Sequence, residues 1–536
     1  MKTITTIFLS FLTLSLFGQK PSLDNREILV KKEYNNEIYQ SNPVFDYASI
    51  MVPERSHLNI KKDTLSTISA FTPDIDISIK PVAYKSLPDI SGHKGFIKLD
   101  KGTLNPIYGQ AGYAYTTPNY FNINAVVKYD KRDEKEVTNK TITSKGADVS
   151  MQYYLTKETK TDLRISYNRN DFGLYGLTLF PIGSDAQNSN VYDRISANLG
   201  FQTFKSAPSH WNFRIHTMLS QWESVKVNHK ERNISALGTV EYKVNDVWDF
   251  SITPQYQNSS SNTFGNGHII KGSFDVAYNI KSFYAKVGIS TNHFDNQTRI
   301  WPSADIRWHV GHDTDIKIKS TSQATIWGGD NATKVNPYIS STTLQGEERD
   351  YSFNRFLQMN VASDLNKDVA VDFGISYLNA SNDFNFIMYT EDTRQFDYNL
   401  VNYERLRLKV DVTKKIGAIL YTGLLLQYDN YAQMSDMLYN RPTVAIVPHI
   451  ETRFLNNKLT TELKASINNP QDFEVDAPLK NRSSWRKNLS FSLTYKVMDR
   501  LNINLNADNI LGDTYQVWNG YNNFNRNLSG GILLKL

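Results

Sequence analysis

The chain has 536 residues, 12% of them aromatic but only 40% hydrophobic, and a formal charge of +5. So mild a charge gives no reason to expect nucleic acid as a partner, and no basic run stands out. Cysteine is absent, which excludes disulfides, thiolate metal sites, cysteine nucleophiles and a lipidated N-terminal cysteine.

The N-terminus reads MKTITTIFLSFLTLSLFGQK. Lys2 gives a positive start, Ile4 to Phe17 form a short apolar run, and Gly18 before Gln19 offers a cleavage point. This predicts a secretory signal peptide over 1–18, too short to span a bilayer, although Leu16 is bulkier than the residue usually found there. No later run of about 18 apolar residues occurs, so no transmembrane helix is expected. Residues 19–94 are proline-rich with patchy alternation. They predict an irregular, extended segment that lies in the periplasm, fills a lumen or docks on a partner.

From about residue 95 the pattern changes. Leu163, Ile165 and Tyr167 alternate with Asp162, Arg164 and Ser166. Leu406, Leu408, Val410 and Val412 alternate with Arg405, Arg407, Lys409 and Asp411. In 489–511, Leu489, Phe491, Leu493, Tyr495 and Val497 are followed by Leu501, Ile503 and Leu505, all interleaved with polar residues. Period-two alternation marks strands with two unlike faces. Such strands build either a soluble sandwich or a membrane barrel with lipid outside and a wet lumen within.

The connections decide between these. Short links are expected near 118–119, 156–160, 205–209, 245–246, 280–281, 311–312, 366–367, 414–415, 456–457 and 498–499. Between them fall longer polar links at 132–144, 171–189, 328–349, 429–442 and 469–482. Alternation of tight turns with long loops is the habit of an outer-membrane barrel. The expected fold is all-β: an antiparallel transmembrane barrel of about 22 strands over 95–536, with both chain ends on the periplasmic side. Trp211, Trp222, Trp248, Trp301, Trp308, Trp327 and Trp485 fall near strand ends and are candidates for the membrane-interface belt.

Arg405, Arg407, Lys409 and Asp411 are the candidate lumen-lining residues, because each would cost a few kcal/mol facing lipid. The aromatic links LYGLTLF (174–180) and DNYAQMSDMLYN (429–440) suit either ligand or partner binding or a stable loop cap. No catalytic constellation, cofactor motif or metal site emerges. His309 and His312, in RWHVGHDTD, are a close pair of histidines and fall at an expected periplasmic turn.

The stretch VAVDFGISYLNASNDFNFIMYTEDTRQFDYNLVNYERLRLKVDVTKKIGAILYTGLLLQYDN (369–430) resembles a late hairpin region of TonB-dependent receptor barrels. The ending NADNILGDTYQVWNGYNNFNRNLSGGILLKL resembles that family's closing hairpin. The likeness covers about 95–536 and implies an outer-membrane barrel, with the residues before it too few for the family's plug domain. FIKLDKGTLNPIYGQAGY (96–113) superficially resembles the end of such a plug but is expected to be the first barrel hairpin. The opening segments also resemble plug-less receptor-like barrels of Bacteroidetes-type bacteria. Two functions remain open: a non-catalytic subunit or accessory of an envelope complex, and a transporter or receptor for a solute such as a saccharide or chelate. Outer-membrane lipid is the expected surrounding, with other envelope proteins as docking partners.

Overall fold

The computed structural model describes residues 95–536 apart from 105–106, 118–120, 157, 177–187, 205–208, 263–264, 312, 341–349, 389–391, 393, 433–440, 470–484 and 519. The expected signal peptide (1–18) and N-terminal segment (19–94) lie outside the described residues.

Strands follow in chain order: β1 (Gly95–Gly102), β2 (Ile107–Thr117), β3 (Phe121–Asp133), β4 (Thr141–Thr156), β5 (Thr159–Gly173) and β6 (Ser189–Thr203). Next come β7 (His210–Ser224), β8 (His229–Lys243), β9 (Trp248–Ser261), β10 (Gly267–Ile280), β11 (Phe283–Phe294) and β12 (Gln297–Val310). The third group is β13 (Thr314–Ile326), β14 (Tyr351–Asn366), β15 (Val369–Met388), β16 (Phe396–Ile416), β17 (Leu420–Ala432) and β18 (Val444–Phe454). The series ends with β19 (Leu459–Asn468), β20 (Arg486–Met498), β21 (Leu501–Asp508), a small hairpin of β22 (Gln516–Trp518) and β23 (Tyr521–Asn522), and β24 (Asn527–Lys535). Helix α1 (Gly329–Val335) sits between β13 and β14.

Each barrel strand pairs antiparallel with the next. β24 pairs with β21 on one edge and, through Phe96↔Lys535 to Gly102↔Ser529, with β1 on the other. The 22-stranded sheet therefore closes on itself and removes its edges.

Alternation sets which side each residue takes. In β16, Leu406 and Leu408 are exposed on the outside, while Arg405 and Asp411 are buried on the opposite face. The 489–511 hairpin forms as β20–β21, with Leu493 opposite Leu505 and Tyr495 opposite Ile503 on the outer face. An outward face of this kind is stabilised by lipid, where a charge at mid-depth would cost about 2–4 kcal/mol.

The two ends of the barrel differ as expected, with local exceptions. At the end holding both barrel termini every connection is short, ranging from the two-residue links 281–282 and 367–368 to 204–209. One turn is displaced: β16 runs through Lys414 and Lys415 to Ile416, and the chain turns at 417–419, where Gly417 takes φ +64°. At the other end the connections 134–140, 174–188, 327–350, 433–443, 469–485 and 509–526 are long, but 225–228, 262–266 and 295–296 are not. Asp295 and Asn296 both adopt positive φ, the geometry of a two-residue hairpin turn, which short polar side chains tolerate.

Beside that short turn the wall changes construction. The β12–β13 ladder extends only from Val310↔Thr314 to Ala304↔Ser320. Above it, residues 297–303 pair with β11 and 321–326 pair with β14, but not with each other. Pro302, which stands where the ladder would continue, has no N–H to give. Ile289 and Ile300 point outward, so the alternate residues Ser290, Asn292 and Phe294 point inward, where they meet the upper part of β13 and β14. Ile269, Phe294, Ala324, Ile326 and Phe353 make an apolar core between these layers. Side chains replace the ladder: Asn292 Nδ2 donates to Ser322 Oγ at 3.0 Å, and Trp301 Nε1 donates to Ser320 Oγ at 3.1 Å.

Candidate functional site

At the long-loop end an aromatic core draws several connections together. Tyr338, from the 327–350 connection, stacks on Tyr521 of β23 with ring centroids 3.8 Å apart. Tyr175, from the 174–188 connection, meets Tyr521 edge-on at 4.7 Å. Trp327 lies 3.9 Å from Phe384 of β15, and Trp518 packs on Phe386 and Phe396. Tyr521 is fully buried, and its hydroxyl donates to the Arg394 carbonyl. One cluster thus joins β4, β5, β6, β7, β15, β16 and three long connections. Burying a hydroxyl demands a partner, and here the backbone of a neighbouring connection supplies it.

Charged groups pin the same elements. Helix α1 docks on β6 through Arg194, whose Nη2 lies 2.5 Å from Asp330 Oδ2; Lys334 Nζ reaches the same oxygen at 3.2 Å. Burial alone would push the Asp330 carboxyl up, but Arg194 and Lys334 outweigh it and hold the group below its ordinary value. A side chain on Gly329 would run into the Trp222 indole, so this close approach requires glycine. In the 134–140 connection, Lys140 Nζ pairs with Glu134 at 2.8 Å and donates to the Asn523 carbonyl at 2.7 Å. Burial lowers the Lys140 ammonium, partly offset by Glu134. Arg441 donates to the Tyr403 hydroxyl and, at 3.2 Å, to Asp383 Oδ2, tying the 433–443 connection to a bulge in β15.

The candidate lumen-lining residues share one face of β16. Arg407 grips Asp429 of β17 with two hydrogen bonds, at 2.7 and 3.0 Å, the fork geometry that guanidinium and carboxylate favour. Arg405 and Asp411 are buried, and Lys409 is half-buried. The tryptophans divide. Trp211 lies against Tyr242 and Trp248 against Tyr278; both are exposed, as are Trp308 and Trp485. Trp301 points inward to the β12–β13 seam. Trp222 and Trp327 are 2% and 7% exposed inside the aromatic core, because their strands continue into the loop cap. His309 Nδ1 lies 2.6 Å from Asp315, while His312 is outside the described residues. Sequence reasoning did not single out the core's members Tyr338, Phe384, Trp518 and Tyr521; the aromatic density of YQVWNGYNNF was the available signal.

No protein-family model matches this sequence, and no curated protein matches it at a significant level. Solved structures do match. The ferric yersiniabactin uptake receptor of Yersinia pestis superposes with a TM-score of 0.62 at 9% identity, over 82% of this chain and 80% of that one. The FrpB iron transporter of Neisseria meningitidis gives 0.61 at 10%, over 82% of each. The ferric enterobactin receptor of Pseudomonas aeruginosa gives 0.61 at 10%, over 82% and 80%. The fold is that of the TonB-dependent receptor barrels. With its apolar outer face and closed sheet, this receptor-like barrel spans the bacterial outer membrane. The 369–430 stretch forms β15, β16 and β17, and 96–113 falls in the hairpin of β1 and β2.

Proposed function

We propose that this receptor-like barrel is a non-catalytic component of an outer-membrane assembly, with its outer mouth held by its own loops. The observation that carries this reading is the aromatic core: Tyr175, Tyr338, Trp518 and Tyr521 are used against one another rather than presented to a ligand. A cap built like a protein interior opens only at the cost of exposing that surface. The outer loops and residues 19–94 are then the docking surfaces for other envelope proteins.

A second reading, solute uptake, draws support from the likeness to iron and siderophore receptors and from the charged inner face of β16. Single-channel recording of the reconstituted full chain, paired with affinity purification from outer membrane, separates the two. A silent barrel that co-purifies with envelope proteins in constant ratio supports the assembly role. Solute-dependent uptake by a barrel that purifies alone would replace it with the second.

A further inference from the structure

A pocket opens on the inner side of the rim, beneath the 509–526 connection. It is lined by Arg132 at the top of β3, Asp508 at the end of β21, Asn488 of β20, Asn527 of β24 and the aromatic side chains Tyr515 and Phe524. Its cavity is about 20 Å³. That is room for one or two waters or for the head of a small ligand, since one water needs about 10–15 Å³, and the pocket is partly open, so the rest of such a ligand extends out through its mouth.

The polar groups around it are unevenly spent. Arg132 is 8% exposed, and its side chain makes no hydrogen bond or ion pair among the described residues; its Nε is fully enclosed. Asn488 uses its Oδ1 to accept from the Asn509 backbone at 3.0 Å, which leaves its amide donors for the pocket. Asn527 likewise accepts at Oδ1 from Leu104 N and Thr103 Oγ1. Asn509 Nδ2 donates to the Asp513 and Phe524 carbonyls, whereas its Oδ1 is buried without a partner. Asp508, half-buried, forms no ion pair with Arg132 although both line one cavity. Leaving a buried guanidinium unmatched is costly, and so is leaving a buried amide oxygen unmatched.

We infer that this pocket binds a small carboxylate whose neighbouring atom carries a hydrogen-bond donor, the chemistry shared by α-hydroxy acids and α-amino acids. The carboxylate lies on the Arg132 fork, helped by the Asn488 and Asn527 amides. The hydroxyl or ammonium lies toward Asp508 and Asn509 Oδ1. Arginine suits this task because its planar donors match both carboxylate oxygens. The site stands whether the barrel serves an assembly or an uptake route.

Calorimetric titration of the full chain in detergent micelles with glycolate, glycine and acetate tests it. Glycolate or glycine is expected to bind at least tenfold more tightly than acetate. R132Q should weaken the better probe at least tenfold, while R132K, which keeps the charge but loses the fork, weakens it less. N488D keeps the acceptor for Asn509 N and places a carboxylate beside Arg132, so it should also abolish binding. Heat-dependent gel mobility reports that each variant remains a folded barrel. D508N identifies the second group: selective loss of glycine assigns an ammonium, and an equal, smaller loss of both assigns a hydroxyl. The proposal is overturned if none of the probes binds at millimolar concentration, as expected for a pocket holding water alone. Equal affinity in folded R132Q, or no change in D508N, would also overturn it.

Discussion

Tyr521 and Ser322 mark two ways of closing one rim. Around Tyr521, long connections leave the wall, fold over the mouth and bury rings from distant strands in a common core. Around Ser322, the connections 262–266 and 295–296 are too short to do this. There the wall doubles, with the β11–β12 hairpin lying over β13–β14 and side chains standing in for a ladder. The first device binds loops by apolar area and is cooperative. The second relies on a few hydroxyl and amide contacts around a small apolar core, so it is the weaker closure.

Removing the central ring should break that contrast most sharply. Tyr521→Ala takes away a fully buried side chain that touches Tyr175, Tyr338 and Phe396, and leaves the Arg394 carbonyl unsatisfied. A loss of about 3–5 kcal/mol in cap stability is expected. Limited proteolysis should then cut the 327–350 and 509–526 connections while the barrel keeps its folded gel mobility. Tyr521→Phe retains the ring and should cost only about 1–2 kcal/mol. If both variants resist protease as the parent does, the aromatic core does not hold the loops.

Next in size is the Arg441 network. Asp383→Asn leaves the half-buried Arg441 guanidinium facing Tyr403 and the Phe384 carbonyl without its buried carboxylate. Removing one partner of a buried pair typically costs about 3 kcal/mol or more. Here the loss is confined to the 433–443 connection, so its exposure to protease should rise while that of 327–350 does not. Equal loosening of both connections would mean that the cap is a single unit extending across β15–β18.

Acid should separate the two closures as well. Asp330 and Asp392 are both carboxyls held below their ordinary value of 3.8: burial raises each, Arg194 and Lys334 override it at the first, and Arg394 with Gln395 overrides it at the second. A group with a depressed folded pKa stabilises the fold above its unfolded value, and that contribution fades as pH falls through the folded value. The cap should therefore hold above pH 3.8 and loosen below it, reported by fluorescence of Trp222 and Trp327 in the core. Asp330→Asn should lower cap stability at neutral pH and reduce the acid transition, with Asp392 supplying what remains. A fluorescence change of the same size and midpoint in that variant would remove Asp330 from the account.

How much of this was legible depends on whether a residue obeys a period. Leu406 against Arg407, or Leu505 against Asn504, announces a two-faced strand because the pleat repeats every two residues. The parity of short and long links was legible through polar turn pairs such as Asn245-Asp246, although Lys414 and Lys415 lie within β16 and the chain turns at Gly417 instead. Nothing periodic identifies Tyr338 or Tyr521 as partners: they are distant in sequence, meet in connections, and are joined only by tertiary packing. Trp222 and Trp327 looked like belt residues because position near a strand end does not reveal whether that end lies at the bilayer surface or in the cap. The unpartnered Arg132 was invisible for a related reason, since an inward arginine on a barrel strand usually finds a neighbour.

The smallest expected effect belongs to the seam. Backbone amides in 297–303 and 321–326 that lack a ladder across β12–β13 should exchange with deuterium faster than those in 304–310 and 314–320, where Ala304 to Val310 pair with Thr314 to Ser320. Ser322 receives hydrogen bonds that span the layers, from Asn292 Nδ2 and with Ser290 Oγ. Ser322→Ala removes that receiver and leaves the buried Asn292 amide short of a partner, at a cost of about 1 kcal/mol. Exchange in 321–326 should speed up several-fold while the Tyr521 cap stays protected. Were exchange above and below Ala304 equal in the parent, the two layers would be held as firmly as a continuous sheet, and the weak closure would have to be sought elsewhere on the rim.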